Sequence, residues 1–195
     1  RRQTPSQFYE RNHQPLLVVN CTFFSFATNR NLNTVIRNGE LVGYNIHSLP
    51  GKGKDTLTYR HPLGSAIGIS RKRKADVAWL YTDSSKRFAY ARQETLSAWR
   101  DSVETPGFKT FTAKSKNGSG FRKWKMQTAV GGGPVLLQNG EIKVTNEEEV
   151  KFTGKGLTDK HPRTAMGYTA SGKLIVMVIE GRNPGVAEGA SLQQE

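Results

Sequence analysis

The stretch "NTVIRNGELVGYNI", residues 33–46, decides the fold. Apolar and β-branched runs flank Asn38-Gly39, and Asn-Gly between strands is the strongest short-range hairpin signal because both central residues of a type I′ turn need positive φ. The same writing recurs in "PVLLQNGEIKVT", residues 134–145, around Asn139-Gly140. His-Pro pairs follow at His61, 23 residues after Asn38, and at His161, 22 residues after Asn139, opening "HPLGSAIGIS" and "HPRTAMGYTA". The order of hairpin, loop, His-Pro, Ala-apolar-Gly and long apolar strand thus occurs twice, as expected of an internal duplication or a pair of equivalent strand units.

Around these units lie further short strands: "PLLVVN", "DVAWLYT" and "KLIVMVIE" complete a set punctuated by glycine and asparagine. Helices are few. "TPSQFYERN" from Thr4 pairs an N-cap threonine with proline at the first helical position, "QETLSAWRDS" from Gln93 reads as a second helix, and Ser191 with Gln194 forms a capping-box pattern. The expected class is α+β, a mixed, largely antiparallel sheet built from two related strand units with a few flanking helices. With 195 residues and 35% hydrophobic content, one domain over 1–195 is the expectation. Both of its ends read as cut.

The single Cys21 excludes an intramolecular disulfide and a cysteine-based zinc site. No apolar run reaches the roughly 18 residues of a membrane span. The formal net charge of +13 points to an anionic partner. The charge is concentrated in "RKRK", residues 71–74, and in Lys109, Lys114, Lys116, Arg122, Lys123 and Lys125. The aromatics interleaved with the second set, Phe108, Phe111, Phe121 and Trp124, are expected to pin a long loop to the core, since no nucleic-acid module is written around them. Nucleic acid is therefore not the expected partner.

Chemistry concentrates in three places. In "AVGGGPVLLQNGE" the glycines Gly131, Gly132 and Gly133 offer bare backbone either to an anion or sugar or to a tight crossing of another element, and they match neither nucleotide-binding fingerprint. In "VVNCTFFSF" an apolar strand delivers Asn20, to form a turn or to bond sugar hydroxyls, and then Cys21 and Thr22. "KLIVMVIEGR", read as a strand buried on both faces, ends in Glu180 and Arg182, while Arg163 and Thr164 head the strand before it. Two arginines near one carboxylate form either an ordinary ion pair or a site for a phosphorylated sugar, whose phosphate suits the planar fork of arginine. The histidines His13, His47, His61 and His161 lack metal-ligand spacing, so neither metal nor cofactor is expected.

Taken together, "VVNCTFF", "AVGGGPVLLQNGE", "HPRTAMGY" and "IEGRNPGVAEGASLQQE" resemble the phosphodiester glycosidase family. The resemblance runs from about Leu16 to the end and is weakest over 83–125, which reads as a variable basic insertion. It implies hydrolysis of a sugar 1-phosphodiester, with Glu180, Arg163 and Arg182 catalytic and Asn20, Thr22, Gly131, Gly132, Gly133, Thr164 and Ser191 binding substrate. It further implies a phosphorylated or acidic glycan as partner and an extracytoplasmic location. A non-catalytic glycan or cell-envelope binding module on the same fold is the alternative.

Overall fold

A computed structural model describes residues 3–115 and 120–195; Lys116 of the basic run lies outside them. Helix α1 (Pro5–Arg11) is followed by strands β1 (Val35–Arg37), β2 (Glu40–Gly43), β3 (Leu49–Pro50), β4 (Tyr59–His61), β5 (Gly64–Ile69), β6 (Ala75–Tyr81), β7 (Ala89–Arg92) and β8 (Trp99–Asp101). Helix α2 (Phe108–Lys114), β9 (Arg122–Trp124), β10 (Thr128–Gly131), β11 (Leu137–Gln138), β12 (Glu141–Ile142), α3 (Asn146–Glu149), β13 (Arg163–Tyr168) and β14 (Leu174–Ile179) complete the order. The α+β class with mostly antiparallel sheets holds, with helices sparse.

The main sheet has seven strands in the order β2-β1-β10-β5-β6-β7-β9, all paired antiparallel. Its inner strand β6, between β5 and β7, is buried on both faces. Ala78 and Leu80 face a cluster with Ile36, Ala66, Ala129 and Trp124, while Trp79 and Tyr81 face a second cluster with Leu63, Phe111 and Val135. That split follows from the two-residue period of a strand, and it explains why "DVAWLYT" reads as continuous apolar sequence. The aromatics of the basic segment enter these clusters as expected, with Phe111 fully buried and the Phe108 ring 5.4 Å from that of Phe121.

Both Asn-Gly turns take the positive φ that their sequence requires, 54° and 82° in each pair. They close the β1–β2 and β11–β12 hairpins. At the N-terminus, Thr4 and Gln7 exchange the two hydrogen bonds of a capping box around Pro5. Among the described residues no helix is long and apolar enough to cross a membrane.

Three expectations are corrected. Residues 93–98 form no helix, because Trp99 is drawn into β8 against His61, its ring 4.7 Å from Phe111 and its indole donating to Asp101, and this packing overrides local propensity. "PLLVVN" forms no strand: its backbone joins no ladder among the described residues, and Leu16 and Leu17 are exposed. "KLIVMVIE" does become a strand, β14, but it pairs with β13 alone and leaves Leu174, Ile175 and Val178 more than half exposed. It is the first unit, through β6, that holds the strand buried on both faces.

Candidate functional site

The end of β14 and the start of β13 open on one cleft of about 480 Å³. Register pairs Arg163 with Ile179 and Thr164 with Val178, so Glu180 emerges beside the His-Pro entry to β13. The chain then turns through Asn183, Pro184 and Gly185, and Asn183 N and Ala187 N each bond back across the loop. It returns to pair Ala190 with His161 in a two-bond bridge. This return carries Asn183 and Ala187 into the lining together with Asn20, Arg163, Thr164 and Glu180. Asn-Pro-Gly is a turn signal legible in the sequence; that the turn folds back onto His161 is not.

Each polar group has a definable state. Asn20 Oδ1 accepts a 2.8 Å hydrogen bond from Thr164 Oγ1, joining segments 144 residues apart. Glu180 is exposed, and among the described residues it forms no ion pair with either arginine. The adjacent Arg182 is also exposed, stands at φ 64° and lies outside the lining. Arg163 is buried, with Nε donating to Ala190 O at 3.0 Å and lying 3.7 Å from Glu195 Oε2. Its guanidinium also sits 5.4 Å from the centroid of Phe152. Burial pushes the Glu195 carboxyl above its ordinary range, while the Arg163 charge opposes that shift. The ordinary ion pair of Glu180 is therefore absent, and the partner of Arg163 is a different carboxylate.

The remaining predicted residues lie elsewhere. Gly131 and Gly132 spend their amides on Thr34 O and Ser65 O, so they are not free donors. Gly133, at φ 90° before a cis proline bond, passes so close to the Glu149 carboxylate that a Cβ would overlap it. Glu149 is the reason for this crossing. Fully buried, it accepts from Ser65 N and Oγ, Trp79 Nε1, Val135 N and Thr145 Oγ1. Nothing in "NEEEV" marks this glutamate apart from its two neighbours.

Thr22 is half-buried outside the lining, next to Phe23, whose amide donates to Asn33 Oδ1. Ser191 exchanges capping bonds with Gln194 in a single turn that steadies Ala190. Two histidines tie the first unit together. His47 bridges Pro62 O and Thr82, and burial pushes its pKa down to about 4. His61 faces Asp101 at 2.9 Å and Ser48 Oγ at 3.2 Å across neighbouring strands.

A model of a protein family described as phosphodiester glycosidase matches residues 13–195. No curated protein matches the chain, and no solved structure does.

Proposed function

Because the chain belongs to the phosphodiester glycosidase family, we propose that it hydrolyses a sugar 1-phosphodiester, with the reaction occurring at Glu180. The observation that carries this reading is the meeting of Asn20, Arg163, Thr164 and Glu180, drawn from three separate segments, around one cleft. An exposed carboxylate that forms no ion pair among the described residues is free to act on a bound sugar. Cleavage at the anomeric carbon expels a phosphate monoester, a good leaving group, so protonating it matters less than in an ordinary glycoside. What the site must supply is anchorage for the phosphate and stabilisation of positive charge at the anomeric carbon.

In this proposal Glu180 supplies the negative charge beside the anomeric carbon. Arg182, on the exposed rim, takes the phosphate through charge-assisted hydrogen bonds. Arg163 contributes its charge from a fixed position at the cleft wall, and the Asn20–Thr164 pair orients sugar hydroxyls. The substrate follows as a phosphorylated glycan, and an extracytoplasmic setting would bring the protein to such polymers. Gly131, Gly132 and Gly133 hold the scaffold through Thr34, Ser65 and Glu149.

The competing reading, a glycan-binding module without turnover, draws on the Ala190 carbonyl and Glu195 contacts that already occupy Arg163. Release of free sugar from a sugar 1-phosphodiester separates the two. Wild type should turn over, and Glu180→Gln and Arg182→Ala, both exposed changes that spare the fold, should each lower kcat/KM by about 100-fold or more. Equal rates in wild type and both variants would sink the site assignment. Saturable binding without product in wild type would establish the binding module instead.

A further inference from the structure

A second concavity, of about 900 Å³, shares no lining residue with the Glu180 cleft. It gathers the Asn38-Gly39 turn and β2, the turn between β5 and β6, the segment entering β7, and the residues joining β9 to β10. Into it come Arg71, Lys72, Lys74, Lys86, Arg87 and Lys125, against one carboxylate, Glu40. Five of the six cations are exposed, and among the described residues none of the six forms an ion pair. Lys86 also has Asp83 in its field, whose carboxyl it helps hold below its ordinary range. Like charges in excess of their counter-charges repel one another in the free protein, and an anionic ligand relieves that repulsion.

The β5–β6 turn adds an independent observation. "SRKRK" (70–74) and "TASGK" (169–173) close their hairpins with the same bonds. Ser70 N and Thr169 N donate to the carbonyls of Lys74 and Lys173, Arg73 N and Gly172 N donate back to Ser70 and Thr169, and each first hydroxyl accepts from the last amide. The left-handed position is Gly172, at φ 83°, in one turn and Arg73, at φ 58°, in the other. Glycine is the unstrained residue there, so the first turn carries charge against its backbone preference.

We propose that this groove binds an acidic glycan, a polysaccharide bearing phosphate or carboxylate groups, at a site separate from the Glu180 cleft. A polyanion matches six cations spread over several turns better than a small anion does. Nucleic acid is disfavoured because the groove offers one aromatic, the half-buried Phe88, whose ring already carries Arg87 at 5.4 Å and Lys123 at 5.8 Å in place of a base.

The turn repeat supplies the test. Replacing Arg71, Lys72 and Arg73 by the Ala-Ser-Gly of the second turn preserves hairpin geometry while removing two of the groove's cations, Arg71 and Lys72, together with the neighbouring Arg73. Binding of a phosphodiester-linked polysaccharide and of polygalacturonate is measured by fluorescence anisotropy at low and physiological salt, beside neutral dextran, a single-stranded oligonucleotide of equal charge and phosphatidylglycerol vesicles. The expected result is binding of at least one acidic glycan, no binding of dextran, a weakening of about tenfold or more in the graft variant, and loss of affinity with salt. Preference between phosphate and carboxylate polymers identifies the charged group. Unchanged glycan affinity in a variant whose circular dichroism matches wild type would overturn the proposal. So would tighter binding of the oligonucleotide, or binding of vesicles alone.

Discussion

The hairpins β5–β6 and β13–β14 share sequence pattern, length and turn hydrogen bonds, yet one lies at the centre of a seven-stranded sheet and the other stands as a pair. Beside β5 lies β10, with Val130 against Ile67 and Gly131 against Ala66. Beside β13 no second strand pairs among the described residues, and Thr164 meets Asn20 there in a hydrogen bond. The arrangement crosses over. The run that leads the second Asn-Gly hairpin, β10, serves the His-Pro strand of the first unit, while the run that leads the first hairpin ends in Asn20 against the His-Pro strand of the second. A hairpin is thus specified locally, whereas its place in a sheet depends on what the other half brings to its edge.

Glu149 gives the sharpest test of that difference, because it is a second-unit residue that completes the first unit. Glu149→Ala removes one carboxylate and strands buried donors on Ser65, Trp79 and Val135, so a loss of about 4 kcal/mol or more in urea unfolding is expected. A loss under about 1 kcal/mol would mean that the two units are not coupled through this residue.

The sequence made the duplicated hairpins legible because Asn-Gly turns and β-branched runs act over a few residues. It also showed which residues could surround a cleft, since Arg163, Thr164 and Glu180 sit at the ends of two strands bound to pair. Asn20 joined them through a contact across 144 residues that local pattern does not encode. Burial departs from the apolar pattern for the same reason. "DVAWLYT" and "KLIVMVIE" are similarly apolar, and only the presence of β7, β10 and α2 around the first makes it core. Glu149 was invisible because four of its five donors come from three other segments, at Ser65, Trp79 and Val135.

Matched truncations on β6 and β14 sharpen the contrast at a smaller scale. Leu80 is fully buried, so Leu80→Ala should cost about 3 kcal/mol through lost transfer energy and the cavity left behind. The neighbouring register position on β14, Val178, is 59% exposed, and Val178→Ala should cost less than about 0.5 kcal/mol. Comparable losses measured by chemical denaturation would show that the second hairpin is packed in solution as tightly as the first.

The smallest effect isolates the two turns themselves. Arg73 and Gly172 occupy the same left-handed position in turns with the same hydrogen bonds, so their exchange changes backbone strain with the closing geometry kept. Arg73→Gly should stabilise the protein by about 1 kcal/mol, less whatever the added freedom of the unfolded glycine takes back. Gly172→Arg should destabilise by a similar amount, and thermal unfolding should shift in opposite directions for the two variants. Opposite shifts would establish that the first turn holds its arginine at the expense of stability, as a surface kept for an anionic partner requires. If Arg73→Gly instead destabilised the fold, the arginine would be a structural part of the hairpin, and the turn would no longer support a binding role.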